Sequence, residues 1–384
     1  MDNHATSTTP QQETLLQETI SFLRFPLIVA VVLIHCNFGG VSVGGTSIAS
    51  PDSHPAYTFI IALFVEGIAA MAVPVFFFIS GFLFFYKTDF SPNAYRHKLA
   101  RRCRSLLIPY IFWNIVVIIL ILLSQTFMSG MTSGNQKLFA DYTAADWLNC
   151  FWYYGNDVKP ICYQFWFLRN LIVLVVFTPV VYFIVRRFGA AFIILYGVVW
   201  IADLLPVAGT SVLDPCGIIF FCWGAWYSAN GKNFLAEMGR VPLRLAAAAY
   251  ILLLAAHMCL NTLDMQKADT AVVRASVFIG LVAVVLSAAT QLKSGRWRAN
   301  RFLGSSTFFI YAYHGAAATL ALKLFPRIFP TTDAAITAGM FALCAFLTVL
   351  GLALYKLLDS LAPTFTSFIC GGRKAAKARQ SPKA

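Results

Sequence analysis

Residues 21–36 read SFLRFPLIVAVVLIHC, an apolar run interrupted by two ionisable side chains, Arg24 and His35. Widened to 20–38, the run is long enough to cross a bilayer as a helix, which takes about 20 mainly apolar residues. Arg24 and His35 are eleven positions apart, close to three helical turns, so both side chains fall on one face. An arginine and a histidine turned toward lipid would be expensive, so this face is expected to line a cavity. The plainer reading has Arg24 reaching the inner headgroups and His35 hydrogen-bonding a neighbouring helix.

Working outward, similar runs predict further spans near 57–86, 105–128, 164–186, 189–205, 213–229, 243–260, 270–292, 304–325 and 334–358. The chain of 384 residues is 59% hydrophobic and only 12% charged, with a mean hydropathy of +0.71. A soluble domain carries about a quarter of charged residues, so the lipid bilayer is the expected partner of most of this surface. The expected fold class is an all-α integral membrane bundle of about ten transmembrane helices.

The net charge of +13 does not point to nucleic acid, because the charges sit in short loops between apolar runs. With the N-terminus inside, 21 of the 29 basic residues fall on inner segments. Outer segments hold Lys137, Lys159, Lys267, Arg274, Lys323 and Arg327. Cytoplasmic loops are the ones enriched in Lys and Arg, so both termini are expected to be cytoplasmic. Residues 1–19 lack the basic start of a cleaved signal peptide and read as a disordered cytoplasmic tail. Residues 20–358 form the transmembrane domain, and 359–384 form a basic cytoplasmic tail. The longest outer segment, 129–163, contains Trp147, Trp152, Tyr153 and Tyr154, which suit an interfacial belt or a ligand site equally well.

Nine cysteines are scattered without metal-ligand spacing, and no metal site is expected. Cys150 and Cys162 share the outer segment and could pair there or remain free. Other ionisable groups within spans are functional candidates by default. Glu66 precedes the run VPVFFFISGFLFF, where Ser80 and Gly81 permit close helix approach. Two readings hold for Glu66: partner to a cation such as Arg169, or carboxylate at the outer interface. The segment FWFLRNL contains Trp166 and places Arg169 inside the outer boundary, where a polar partner or substrate is expected. STFFIYAYH brings Tyr311 and His314 onto one face. His257 and Asp203 are further ionisable groups in or near spans. YRHKLARRCRSLLIPY sets Arg101 and Arg104 on one helical face at the inner membrane edge. They suit positive-inside anchoring or, through bidentate contacts, a clamp for an anionic cosubstrate. No phosphate-binding loop, nucleophile elbow or zinc motif appears.

In order and position, these segments resemble the acyltransferase-3 family of bacterial integral membrane O-acyltransferases, in its membrane-only type. The resemblance rests on Arg24 and His35 separated by ten residues, VPVFFFISGFLFF, the basic cluster leading into RSLLIPYIFWN, FWFLRNL and STFFIYAYH. It covers roughly residues 20–355. It implies a multi-pass protein of the bacterial inner membrane that moves an acyl group, usually acetyl, from cytoplasmic acyl-CoA. The receiving group would be a hydroxyl of a glycan, lipid-linked sugar or small molecule. It gives His35 the catalytic role and Arg24 a supporting one, with Arg101, Arg102 and Arg104 helping to bind the donor. Glu66, Ser80, Trp166, Arg169, Tyr311 and His314 would then line the cavity or the acceptor site. Acyl-CoA is expected as a cosubstrate rather than a resident cofactor. The rival reading is a transporter or exporter of a glycan or acylated molecule, since intramembrane Arg and His also suit a substrate pathway.

Overall fold

A computed structural model describes residues 9–43, 46–127, 137–154, 158–205 and 211–372. The first helix, α1 (Pro10–Ile34), starts at a capping box in which Thr9 and Gln12 bond each other's backbone. Residues 10–19 are thus helical, which corrects the expected tail of 1–19; residues 1–8 lie outside the described chain. At the other end, residues 359–361 finish the last long helix (Asp333–Leu361) and Pro363–Ile369 form a short one. Residues 373–384 lie outside the described chain.

After α1 come α2 (Pro55–Ile60), a π-helical stretch (Ile61–Ile68), a 3-10 turn (Ala69–Met71) and α3 (Ala72–Phe85). Pro74 is the third residue of α3, where a missing N–H costs nothing. α4 (Pro92–Arg102) runs through a π-helical turn (Cys103–Leu107) into α5 (Ile108–Phe127), and α6 (Ala144–Asn149) lies in the outer segment. α7 (Trp166–Val176) and α8 (Thr178–Arg187) meet at a 70° bend. Next come α9 (Ala190–Ile201), α10 (Pro215–Ala229), α11 (Phe234–Met238), α12 (Leu243–Thr262) and α13 (Gln266–Lys293). The chain ends with α14 (Arg301–Ile328), α15 (Asp333–Leu361) and α16 (Pro363–Ile369). Among the described residues the single strand pairing is a two-residue antiparallel bridge, 42–43 with 46–47.

Seven helices among the described residues are long and apolar enough to cross a membrane, eight if the bent α7–α8 pair counts as one. The other two expected spans are α9 and α10, of 12 and 15 residues. By length alone they fall short of about 20 residues. α10 lies deep in the bundle against α3. Their crossing is reciprocal: a Cβ on Gly81 would lie 2.0 Å from the Phe221 carbonyl, and one on Gly224 would lie 1.9 Å from that of Phe78. Only glycine at both positions lets the two backbones approach this closely. α1 packs against α3, α13, α14 and α15, four elements of the bundle.

Candidate functional site

His35 is the residue that ends α1, and the chain beyond it is clamped. The hydroxyl of Tyr57 donates to Asn37 Oδ1 (2.7 Å) and accepts the Phe38 N–H (2.6 Å). Tyr57 is itself held, because the Asp333 carboxylate accepts the N–H groups of Ala56 and Tyr57 at 2.9 and 2.8 Å. Asp333 opens α15 and at the same time caps α2. His35 thus sits on a helix end fixed from two neighbouring elements.

Two rings meet His35, those of His314 and Tyr163, each with its centroid 5.0 Å away. His314 projects from the middle of α14 and is fully buried. Its Nδ1–H donates to the carbonyls of Tyr311 (2.8 Å) and Ile310 (3.1 Å). Both partners can only accept, so the proton belongs on Nδ1 and Nε2 keeps its lone pair. Nε2 is buried without a hydrogen-bond partner among the described residues. An unmet lone pair at this depth is costly, which makes it a place to look for an incoming hydroxyl.

Tyr163 and Gln164, which lead into α7, roof this pair. Tyr311 Oη donates to the Gln164 carbonyl (2.8 Å), and Gln164 Nε2 donates to the Ala312 carbonyl (2.9 Å). Gln164 fits only because residue 315 is glycine: a Cβ there would lie 2.2 Å from its Oε1. Tyr163, Gln164, Thr319 and Lys323 belong to the wall of a cavity of about 1360 Å³ that reaches out to Tyr142, Tyr153 and Tyr154. Tyr163 therefore touches His35 on one side and the cavity on the other.

Arg169 is not among the residues lining that cavity; it has the polar partners that its depth called for. It is buried and holds the roof instead, its Nη1 donating to the carbonyls of Trp152 (2.6 Å) and Val158 (2.8 Å). Its guanidinium also faces the Trp152 and Tyr153 rings at 5.7 and 5.3 Å. The geometry is that of a cation organising the carbonyls of a loop.

Arg24 lies midway along α1, about 16 Å from His35 by helical rise. Pro26 interrupts the backbone hydrogen bonding between the two. Arg24 is half-buried, and Arg102 lies close enough for the two positive charges to repel. Among the described residues neither makes a hydrogen bond or ion pair. Two partly buried guanidiniums without a carboxylate form a site for an anion. Arg101 and Arg104 are exposed at the same edge. Lys98 donates to the Phe84 carbonyl, tying α4 to the end of α3.

The remaining candidates are dispersed. Glu66 is exposed on the π-helical stretch and forms no ion pair among the described residues, so it is not the partner of Arg169. Ser80 is half-buried beside the Gly81 crossing, and Trp166 packs near Phe77 with centroids 6.5 Å apart. Tyr311 stacks on Phe165 at 5.3 Å. His257 pairs with Asp269 (2.6 Å) and with the Ala62 carbonyl (3.0 Å), and Asp203 pairs with Arg274 (2.8 Å). Cys150 and Cys162 are free thiols, buried in different clusters. Sequence reasoning missed Tyr163, Gln164, Thr319 and Asn37. A glycine directly after His314, inside a helix where it is unfavourable, was the one available signal of close approach.

The model of the acyltransferase-3 family, described as an acyltransferase domain, matches residues 18–355. No curated protein and no solved structure matches the chain. The match spans Arg24, His35, the basic edge, the roof and His314, so this multi-pass membrane protein belongs to the acyltransferase-3 family.

Proposed function

We propose that the protein moves an acyl group, acetyl in the first instance, from cytoplasmic acyl-CoA to a hydroxyl of a glycan, lipid-linked sugar or small molecule. It does so in the bacterial inner membrane with both termini cytoplasmic, and α9 and α10 complete ten crossings as short helices within the bundle. One observation carries this reading. A histidine pair with an unmet lone pair lies beside the cavity at the end of α1, and the guanidiniums of Arg24, midway along the same helix, and of Arg102 lie near each other with no ion pair among the described residues.

Hydroxyls are weak nucleophiles at neutral pH, and a histidine base raises their reactivity. His35 takes the hydroxyl proton as the oxygen attacks the thioester carbonyl. The carbon–sulfur bond then breaks, and the CoA thiolate leaves and takes up a proton. In a transfer through an acyl-histidine, a carbon–nitrogen bond to His35 forms as the carbon–sulfur bond breaks; the hydroxyl oxygen then forms the ester as the carbon–nitrogen bond breaks, its proton passing to the released imidazole, and the kinetics are ping-pong. Arg24 and Arg102, with Arg101 and Arg104 at the edge, hold donor phosphates. At about 16 Å from His35, Arg24 is too distant to touch the carbonyl, so the extended pantetheine arm bridges the gap.

The test is acetyl-CoA binding and slow hydrolysis by the purified protein. His35→Ala is expected to bind the donor and lose about 10²–10⁴-fold in hydrolysis. Arg24→Ala is expected to lose affinity, and Arg24→Lys to regain little of it, because ammonium cannot make the bidentate contact. A folded wild type that binds no acyl-CoA would overturn the donor assignment and bring the transporter reading forward.

A further inference from the structure

Eight residues of π-helix, Ile61–Ile68, run between α2 and α3. A π-helix of this length is rare, because a single turn is its usual extent. Its persistence calls for a partner that holds it. The carbonyl of Ala62 meets His257 Nε2 at 3.0 Å. A carbonyl only accepts, so Nε2 carries its hydrogen and donates. Nδ1 meets the Asp269 carboxylate at 2.6 Å, which fixes the orientation of the ring. His257 is buried on α12, and Asp269 stands in the first turn of α13. Gly67 clears the face that the ring reaches. A Cβ there would lie 3.3 Å from the Ala62 carbonyl, 3.5 Å from His257 Cδ2 and 2.9 Å from the end of Leu254. Glycine is unfavourable inside a helix, and here its missing side chain makes room for the ring.

The winding held in this way sets the direction of Tyr57. Each residue of register gained or lost along a helix turns everything before it by about 100°. Tyr57 lies five residues before Ala62, in a helix of six residues with little length to absorb such a twist. Its hydroxyl accepts the Phe38 N–H and donates to Asn37 Oδ1, three and two residues beyond His35. Asp333 caps the start of α2, so a change of winding has to break that cap as well. A continuous line of hydrogen bonds and helix thus runs from Asp269 through His257, Ala62 and Tyr57 to the end of α1.

We propose that His257 is a positioning residue for His35, acting through the π-helical winding and Tyr57. With Asp269 it forms a latch. Closed, the latch keeps Tyr57 on Asn37 and Phe38; open, it lets the stretch rewind and frees the end of α1. The inference rests on the acyl-transfer reading for what that position serves, while the latch itself is measured without turnover.

The experiment compares purified wild type, His257→Leu, His257→Gln and Asp203→Asn. It reads hydrogen–deuterium exchange of the peptide carrying Phe38, and steady-state turnover of acetyl-CoA. His257→Leu is expected to speed exchange at Phe38 on the order of tenfold, as the clamp opens locally. Its kcat should fall about tenfold to 10²-fold with KM for acetyl-CoA unchanged, because reacting groups are misplaced while the donor contacts lie elsewhere. His257→Gln keeps an N–H for the Ala62 carbonyl and should recover most of both. Asp203→Asn breaks an ion pair with Arg274, away from the latch, and should alter neither. Tyr57→Phe should behave alike with and without His257→Leu, since both changes undo the same clamp. Should His257→Leu not fold, Asp269→Ala carries the same test with a smaller rise in exchange. Unchanged exchange at Phe38, joint loss of kcat and donor affinity, no rescue by glutamine, or additivity with Tyr57→Phe would each overturn the proposal. A wild type that turns over no acetyl-CoA counts against the acyl-transfer reading, and exchange at Phe38 then decides the latch on its own.

Discussion

His314 carries its proton on Nδ1 because both of its partners are carbonyls. The consequence is an unmet lone pair on Nε2, on a ring whose centroid lies 5.0 Å from that of His35. In the proposed function His314 would be a positioning residue, steering the acceptor hydroxyl or the His35 ring. Replacing it with alanine is expected to lower kcat about 10²-fold, a typical result of misplacing reacting groups, while acetyl-CoA affinity holds. Added imidazole should restore part of the rate by entering the vacated space; a variant that loses donor affinity and folding together would point to packing alone. At this scale the sequence was partly legible. The spacing of Arg24 and His35 follows from 3.6 residues per turn, and their chemistry was visible because charge is rare in a span. Their neighbours were not visible: Gln164 meets Ala312 across 148 positions, and no local pattern records such a meeting. Arg169 was identified as buried, but its partners are backbone carbonyls, which every residue has.

Elements were read most reliably where they are long and uniform, as in α5, α12, α13, α14 and α15. Glu66 shows where that reading fails. It sits on eight residues of π-helix followed at once by a 3-10 turn, so faces assigned with an α-helical period drift out of phase through this stretch. The 70° bend between α7 and α8 escaped for another reason: Pro179 starts a new helix within a run whose hydropathy never falters. The fit between the outer segment and α14 depends on the one missing side chain at Gly315. Gly315→Ala should displace Gln164 and cost about 1–3 kcal/mol of stability. Combined with Gln164→Ala it should cost less than the two changes separately, because the same contact is removed twice. Thermal unfolding of the four proteins completes that cycle, and strict additivity would show that the two residues do not contact.

Across the whole molecule, the bundle depends on the closeness of α3 and α10. Gly224→Ala places a methyl group against a backbone carbonyl that cannot rotate away, so the helices must part. A loss of at least about 3 kcal/mol is expected, read as a lower unfolding midpoint of solubilised protein. Gly40→Ala, where nothing lies within 4 Å, is the matched control and should leave the midpoint unchanged. The overall class, the membrane and the order of helices were legible because composition and hydropathy are properties of the whole chain. The shortness of α9 and α10 was legible too, as the short runs 189–205 and 213–229, and the structure shortens them further, to 12 and 15 residues.

The separation of Arg24 from His35 along α1 has an electrical side. In the proposed orientation the phosphates of the donor stay at the inner end, and only the acyl group advances to the outer one. Carrying an elementary charge through a membrane potential takes about 2.3 kcal/mol per 100 mV. An acetyl group is neutral and advances without electrical work, whereas a group bearing its own carboxylate would couple every turnover to the voltage. Spreading the two ends of the site along one helix therefore insulates the chemistry from the potential, provided that what crosses is uncharged.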